Sequence, residues 1–308
     1  MALEMISIVI GLLLFIGAIV YTLKKAQPKW DTHDNAQTLS TTLPSPNFPA
    51  ALAARLIRLD KITTLQLMMA TLMDFARRDM LSFQPRSQRS VFGTTSNDSV
   101  VSFQDRGGML HPFESFMVDM LFKNGADEIS LNELGKHTTK HAKLLLQTID
   151  EILEGMGLIS IERMKQRKQL HSLSYALFLL IFILMLVLLS INNLTAFVYF
   201  IPTGLLCAAL VILWGSYATQ VRTEKGDVEA KRWQSFANYL KGIPNQEAAA
   251  LTFLTESFNN YLPYAIAFDL GMQWIGYFIL QKRISKPSWF PGVESGGGLF
   301  SFFTQHKE

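Results

Sequence analysis

Three long apolar runs interrupt a chain that otherwise mixes polar and apolar residues. Residues 5–23, 173–191 and 196–218 contain no Asp, Glu, Lys or Arg. A hydrocarbon core about 30 Å thick is crossed by about 20 apolar residues in a helix, so each run is long enough to span a bilayer. The pattern predicts a transmembrane anchor within residues 1–23 and a transmembrane hairpin within residues 169–219.

A fourth apolar run, residues 261–280, differs from these three because it contains Pro263 and Asp269. An aspartate at the centre of a bilayer costs about 2.5 to 3.5 kcal/mol on insertion scales. We therefore expect this run to form a helix in the cytoplasm rather than a fourth span. Such a helix would pack on the protein or lie at the membrane interface.

Basic residues follow the first and third runs and precede the second. The three flanks contain Lys24, Lys25 and Lys29, then Arg163, Lys165, Arg167 and Lys168, and finally Arg222, Lys225, Lys231 and Arg232. Cytoplasmic flanks of membrane helices carry an excess of Lys and Arg. We expect a multi-pass protein of the bacterial cytoplasmic (inner) membrane with its N-terminus outside and its C-terminus in the cytoplasm. No positive charge leads the first run and no small-residue cleavage site precedes Lys24, so we expect that run to be retained.

The segments between the spans predict the remaining domains. Residues 24–49 are rich in Pro, Thr, Ser, Asn and Gln and predict a flexible linker. Residues 50–168 show two successive sets of helical periodicity and strand-like runs, which predict a cytoplasmic tandem winged-helix-like domain. Residues 220–286 predict a cytoplasmic helical domain, and residues 287–308 form a tail rich in Gly and aromatic residues. The expected fold class is a mainly α membrane protein with three transmembrane helices.

Individual elements can be placed within these domains. Helices are predicted over residues 50–59, 65–80, 112–122, 143–156, 226–240, 247–258 and 261–280, and strand-like runs over residues 81–84, 100–104, 129–131 and 155–161. The polar segment between the first two strand-like runs is expected to be a loop.

Composition agrees with a membrane location. The 308 residues are 49% hydrophobic and 17% charged, and the mean hydropathy is +0.20. The formal net charge is only +3, and basic flanks beside anionic lipid explain most of it. The single cysteine, Cys207, excludes a disulfide framework and any multi-cysteine metal site.

Four segments carry a family resemblance. They are Ala70–Leu81 (ATLMDFARRDML), Phe113-Glu114 with Met120–Phe122, Trp233–Leu240, and Tyr261–Ala265 (YLPYA) with the later Trp274. The chain resembles the YciQ-like predicted bacterial membrane proteins over about residues 46 to 300, a family whose function is itself unassigned. The resemblance implies cytoplasmic winged-helix-like segments, a membrane hairpin and a helical tail with a Gly-rich stretch. Many members also carry an extracytoplasmic β-rich domain near the N-terminus, where this chain has only the predicted anchor.

Candidate catalytic chemistry is sparse. Glu133, His137 and His141 are four residues apart, so one face of a helix would present a carboxylate and two imidazoles to a metal. No His-Glu-x-x-His pattern and no evident third strong ligand accompany them, so we expect a surface histidine pair and no cofactor. The sequence also has no phosphate-binding glycine loop and no nucleophile elbow. These observations favour a protein that is not an enzyme, with a metal-dependent enzyme at the three residues as one alternative.

A second alternative is a membrane-tethered regulator that binds nucleic acid. Its contacts would be Arg77 and Arg78 at the end of a predicted helix, with Arg86 and Arg89 in the predicted wing. Phosphate binding needs clustered positive charge without compensation, and Asp74 and Asp79 flank the first pair. We therefore expect no nucleic-acid partner and interpret the arginines as a solvated face.

The leading hypothesis is a non-catalytic scaffold that presents its cytoplasmic domains for protein interaction. Its expected partners are the lipid bilayer and a protein, and one small-x-x-x-small step, Gly204 with Ala208, allows a homo-oligomer. Exposed aromatic residues of the tail are the candidate contacts with lipid or a partner, because they are difficult to bury: Trp289, Phe290, Phe300, Phe302 and Phe303.

Overall fold

The computed structural model describes residues 2–25, 44–45, 47–59, 62–89, 95–104, 110–122, 128–191, 196–245, 251–285 and 287–289. These residues form two compact units. The span unit contains residues up to 25 and residues 157–225, and the mixed unit contains residues 44–156 and 226–289. Each unit is described separately below.

The described residues are mostly helical. In chain order the elements are α1 (Ala2–Lys25), α2 (Ala50–Arg58), α3 (Thr64–Arg77), β1 (Leu81–Arg89), β2 (Thr95–Phe103), α4 (Pro112–Leu121), β3 (Glu128–Ser130), α5 (Leu131–Gly155), α6 (Ile161–Ser190), α7 (Phe200–Ala218), α8 (Glu224–Gly242), α9 (Leu251–Ala267) and α10 (Gly271–Ile275). Short 3-10 turns cover Ala196–Tyr199 and Ile243–Asn245, and a π-helical turn covers Gly276–Leu280.

The span unit has a helix at each of the three predicted spans. Within the described residues, three helices are long and apolar enough to cross a membrane: Ile6–Lys24, Ile161–Ser190 and Phe200–Ala218. Large apolar side chains such as Leu13 and Phe182 are exposed on these helices, as expected for surfaces that contact lipid. The 30 residues of α6 rise about 45 Å at 1.5 Å per residue, so its basic first turns extend beyond the hydrocarbon core.

Small residues bring α1 and α7 into close contact. A Cβ atom placed on Gly204 would lie 2.6 Å from the Cα atom of Gly11, so neither residue tolerates a side chain. Further along both helices, Gly215 of α7 packs against the side chain of Thr22 of α1. On its other side, α7 contacts α6, where the Ser174 hydroxyl donates a hydrogen bond of 3.0 Å to the Ala209 carbonyl. The predicted small-residue step at Gly204 is therefore packed within the chain.

The directions of the helices place the three basic flanks at one end of the bundle. Gly11 meets Gly204 and Thr22 meets Gly215, so α1 and α7 run in the same direction. The α6 and α7 hairpin is antiparallel, and an isolated β-bridge between Ile159 and Arg222 joins its two open ends. Lys24, the basic start of α6 and Arg222 therefore lie on the same side of the bundle.

The mixed unit contains one small antiparallel sheet with strand order β1-β2-β3. The hairpin pairs Leu81 with Phe103 at its base and Arg89 with Thr95 at its end, and β3 pairs Ile129 with Val101. The strands predicted at residues 81–84 and 100–104 are confirmed, but both extend into the segment that was expected to be a loop. The residues in this extension are mostly polar, but the two strands are joined by backbone hydrogen bonds, which do not depend on apolar side chains.

Two tandem winged-helix units are not confirmed. The strand of the second expected unit, β3, joins the hairpin of the first, so the described residues form a single three-stranded sheet. The strand-like run expected over residues 155–161 instead contributes Ile159 to the bridge at the base of the membrane hairpin. A complete wing for the second unit is therefore absent from the described part of the chain.

Helices from both sides of the membrane hairpin share one core in the mixed unit. The central helix α3 packs on α2 and α5, and α9 packs on α2 and α3. A buried ion pair between Arg55 and Asp150 also joins α2 to α5. Residues 50–156 and the helices that follow the hairpin therefore form one unit rather than two separate domains.

The fourth apolar run packs inside the mixed unit, as expected for a helix that does not span the membrane. The predicted break near residue 259 is wrong, because α9 continues through Pro263 to Ala267. The chain turns instead at Asp269, whose φ is 65°, before α10 begins. Trp274 and Phe278 are fully buried after the turn, so this run contributes to the core.

Candidate functional site

The two arginines at the end of α3 are neutralised by carboxylates. Arg77 donates from Nε and Nη2 to Oδ1 of Asp74, at 3.1 and 2.8 Å. Arg78 contacts Oδ2 of the same carboxylate at 3.0 Å, and its Nη2 donates to Oε1 of Glu114 at 2.8 Å. Two positive charges are therefore matched by two negative charges at this site.

The other two candidate nucleic-acid contacts lie on β1. Arg86 is paired with Asp98 and Arg89 with Thr95 in the register of the hairpin. The side chains of Arg86 and Arg89 lie outside the described part of the structure. A basic face that unites all four arginines is therefore not shown.

The candidate metal ligands lie on the first half of α5. The rings of His137 and His141 stack with their centroids 6.5 Å apart, and Glu133 is exposed. Among the described residues, no group of three His, Cys, Asp or Glu side chains is arranged to hold a metal ion. The geometry therefore shows a stacked histidine pair at this position.

One tail aromatic lies in the described chain. Trp289 stacks on the fully buried Phe258 of α9, with ring centroids 6.1 Å apart. The other four candidates, Phe290, Phe300, Phe302 and Phe303, lie outside the described residues.

The neutralised arginines line a cavity of about 530 Å³. Charged and polar groups on one part of its wall come from α3 and from the start of α4. Apolar groups come from the segment before α2 and from α9. The wall includes Asp74, Arg77, Arg78, Glu114, Phe48 and Tyr264. Four separate stretches of the chain therefore build one concave site.

Glu114 fixes the start of α4 to the end of α3. Its side chain is 2% exposed, and while Oε1 accepts from Arg78, Oε2 accepts the backbone N–H of His111 at 2.9 Å. This second bond belongs to the capping arrangement that satisfies a backbone donor at the helix N-terminus. Both oxygens of a buried carboxylate are thus engaged, and the position of Arg78 is set by them.

An aromatic stack supports the opposite wall. Tyr264 stacks on Trp233 with centroids 5.6 Å apart and an interplanar angle of 12°, and Phe48 lies 5.4 Å from the same Trp233 ring. The Tyr264 hydroxyl donates a 2.8 Å hydrogen bond to the Phe48 carbonyl. Burial raises the pKa of Tyr264 above its ordinary value, and the Asp74 carboxylate adds to the rise while Arg77 and Arg78 oppose it. The phenol therefore stays protonated and keeps donating.

Sequence reasoning identified Arg77 and Arg78 but did not place Glu114, His111 or Tyr264 beside them. A signal was present, because the segments that carry the family resemblance meet here: Ala70–Leu81, Phe113-Glu114, Trp233–Leu240 and Tyr261–Ala265. They are far apart in the sequence, so only the fold shows that they build the same site.

A comparison with known families agrees with these observations. The family described as "Predicted membrane protein (DUF2207) C-terminal domain" matches residues 38–278. The chain therefore belongs to this family of predicted membrane proteins, and the YciQ-like resemblance is consistent with it. No curated protein and no solved structure matches the chain.

Proposed function

We propose that this chain is a non-catalytic scaffold of the bacterial cytoplasmic membrane that presents its mixed unit to the cytoplasm for protein interaction. The proposal combines three observations. Three apolar helices fix the location, basic flanks at one end of the bundle favour the cytoplasm on that side, and the mixed unit is attached to that same end through its chain connections. The N-terminus of α1 then lies outside and the C-terminus lies in the cytoplasm.

The choice of a protein as the partner, and not a nucleic acid, is based on the neutralisation of Arg77 and Arg78 by carboxylates. Binding to a nucleic-acid backbone depends on positive charge that is free to replace counterions. Asp74 and Glu114 hold both guanidinium groups within 3.1 Å, so the end of α3 carries no excess positive charge. A protein surface without such an excess is better suited to another protein than to DNA or RNA.

The order of elements at the start of the mixed unit supports the winged-helix-like part of the proposal. A helix pair, α2 and α3, is followed directly by a two-stranded hairpin, and α5 covers β2. We interpret this first half as the winged-helix-like module, and β3 extends its sheet by one strand.

The partner is tested by photo-crosslinking in intact cells. A photoreactive amino acid replaces Glu151, which is exposed on α5 of the mixed unit, and in a matched control it replaces Leu180, which is exposed on α6. We expect a reproducible protein adduct from position 151 that position 180 does not give. Nucleic acid adducts at position 151, lost in an Arg77→Glu variant but kept in an Arg58→Glu variant, would instead establish the tethered regulator.

The orientation has its own test. A fluorescent protein fused to the C-terminus should fluoresce, because it folds in the cytoplasm, and alkaline phosphatase fused at the same place should be inactive. An active phosphatase fusion would reverse the proposed topology.

A further inference from the structure

Several arginine N–H groups in the cavity beside α3 have no hydrogen-bond partner among the described residues. Oδ1 of Asp74 accepts hydrogen bonds from Arg77, and Oδ2 lies 3.0 Å from Nη2 of Arg78 in an ion pair. The two oxygens of Glu114 accept hydrogen bonds from Arg78 and from the His111 backbone. A guanidinium has five N–H groups, and the described contacts use only Nε and Nη2 of Arg77 and Nη2 of Arg78. Each of these four carboxylate oxygens has at least one partner, whereas several arginine N–H groups have none among the described contacts.

One of these donors is buried. Nε of Arg78 has no hydrogen-bond partner among the described residues, although it is shielded from solvent. A buried donor without a partner costs free energy comparable to a lost hydrogen bond. Because solvent does not reach Nε, this atom does not face the open cavity, and the arginine donors left for a ligand are the N–H groups on Nη1 of Arg77 and Arg78.

The arginines are also held in place before any ligand arrives. The carboxylate of Asp74 bridges them, with Oδ1 on Arg77 and Oδ2 on Arg78, and Glu114 fixes Arg78 from a second direction. Two guanidinium groups side by side would otherwise repel each other. Ordering two long side chains on binding would cost conformational entropy and weaken the affinity. Because both arginines are already held in position, a ligand avoids this cost.

The size and the remaining walls of the cavity indicate what else the ligand carries. A volume of about 530 Å³ lies within the range of small-molecule sites and is much larger than a single inorganic anion needs. Phe48, Pro49, Leu110 and Pro112 contribute apolar surface to the wall. The site therefore suits a group with a polar end and an apolar body.

We infer that this cavity binds a carboxylate attached to an apolar group, with the carboxylate on Arg77 and Arg78 and the apolar part against Phe48 and its neighbours. Guanidinium groups match a planar carboxylate through paired hydrogen bonds. The two arginines and the two acids of the wall cancel in formal charge, so a ligand gains from directional hydrogen bonds and not from net positive charge. Inorganic phosphate, with a charge of about −1.5 to −2 at pH 7, is repelled more strongly by Asp74 and Glu114 than a carboxylate is. The inference does not depend on the scaffold role.

The test uses full-length protein in detergent, with ligand binding followed by saturation-transfer NMR. The probe is N-acetyl-phenylalanine, its neutral amide is the control ligand, and inorganic phosphate is the competing anion. We expect saturable binding of the acid, none of the amide, and weaker binding of phosphate. Tighter binding of phosphate than of the acid, or no saturable binding of the acid, would overturn the inference.

A pair of matched variants assigns the binding to this cavity. Arg77→Gln removes a guanidinium whose side chain is 34% exposed, and Arg58→Gln removes one that is 35% exposed and lies outside the cavity wall. Loss of charge-assisted hydrogen bonds should raise the dissociation constant at least about tenfold in Arg77→Gln. Arg58→Gln should leave it unchanged, and an equal loss in both variants would refute the assignment. Tryptophan fluorescence, which reports the buried Trp233, verifies that each variant is folded.

The source of the carboxylate is distinguished by one further probe. A short peptide that ends in phenylalanine with a free carboxylate presents the same end group as part of a polypeptide. Tighter binding of this peptide than of N-acetyl-phenylalanine supports the site as one for a protein C-terminus, and weaker binding supports it as one for a small amphipathic acid.

Discussion

The ion pair between Arg55 and Asp150 offers the sharpest test of how the mixed unit is held together. Nε of Arg55 donates to Oδ1 at 2.8 Å and Nη2 donates to Oδ2 at 2.9 Å, which is the parallel two-bond geometry of a strong pair. The side chains are only 7% and 10% exposed. The pair joins α2 to α5 inside the core.

Asp150→Asn removes the charge and keeps the shape. Breaking a buried pair by removing one partner costs about 3 to 5 kcal/mol, because the remaining charge stays buried without compensation. The amide oxygen of Asn still accepts one bond from Arg55, so we expect about 3 kcal/mol, the lower end. For a domain of this size each kcal/mol lowers the unfolding temperature by about 2 to 4 °C, which predicts a drop of about 6 to 12 °C.

The assay is thermal unfolding of the detergent-solubilised protein, followed by tryptophan fluorescence. Trp233 and Trp274 are fully buried in the mixed unit, so their change in emission on unfolding reports on that unit. All variants are made in a Trp214→Phe background, because Trp214 lies on α7 of the span unit. The matched control is Asp269→Asn, because Asp269 is 55% exposed and lies 3.7 Å from Arg58. An exposed pair of this kind contributes about 0 to 1 kcal/mol, and Asn tolerates the positive φ at this position.

Equal unfolding temperatures for the Asp150→Asn and Asp269→Asn variants would refute the reasoning. A double variant, Arg55→Met with Asp150→Leu, distinguishes the effect of an uncompensated charge from the effect of packing at these two positions. Replacing both charges with apolar groups of similar volume should recover most of the loss, because it removes the uncompensated charge. Failure to recover would indicate that packing at these positions, and not the charge, explains the effect.

Three further predictions address other parts of the chain. Gly204→Leu should lower the free energy of unfolding of the span unit in detergent by about 1 to 3 kcal/mol or more, because the new side chain meets the Gly11 backbone. The control Gly17→Leu should cause no such loss, because open space surrounds Gly17. Burial raises the pKa of Tyr264 in the folded state, so above pH ~10 the unfolded state loses this proton while the folded state keeps it. The free energy of unfolding should therefore fall between pH 9 and 11, and it should fall less steeply in Tyr264→Phe. Removing residues 1–33 and replacing residues 159–222 by a short Gly/Ser linker should give a mixed unit that is monodisperse by gel filtration without detergent. A short linker suffices because the Thr223 N–H donates to the Leu158 carbonyl, so the two joined ends already lie together; aggregation would contradict this.

The spans could be predicted because their cause is local. An uncharged apolar run of sufficient length has few alternatives to a membrane helix, and the structure has helices at all three. The ends of the helices in the mixed unit were harder to predict. Helix α3 ends at Arg77, three residues earlier than expected, because Asp79 adopts φ 57° and the Met80 N–H bonds back to the Phe75 carbonyl.

The same helix ending occurs again without glycine. Asp269 has φ 65°, and the N–H of Leu270 donates to the Ala265 carbonyl at 2.7 Å. This is the hydrogen-bond pattern of a Schellman motif, in which glycine is the usual residue at the left-handed position. An aspartate gives a much weaker signal in the sequence, so the predicted ends of α3 and α9 were displaced.

The site could be predicted only in part, for a different reason. The Asp74 and Arg77 pair is local, three residues apart on one helix, and the sequence showed that this charge was compensated. Arg78 and Glu114 are 36 residues apart, and Tyr264 bonds to Phe48 across 216 residues. No periodicity or spacing reports such contacts, because they depend on how the helices pack and not on the pattern within any of them.

The membrane hairpin divides the chain that forms the mixed unit, and this has a consequence for folding. The Gln66 side chain donates to the carbonyl of Ile266, 200 residues away, and α9 covers the apolar face of α3. Until residues 251–267 have been synthesised, buried side chains of α3 such as Met69 and Leu72 lack this cover. The two spans of the hairpin are made before α9, so insertion of α6 and α7 precedes completion of the core. A chain whose hairpin fails to insert would expose the apolar surfaces of both units together, which favours aggregation over a soluble intermediate.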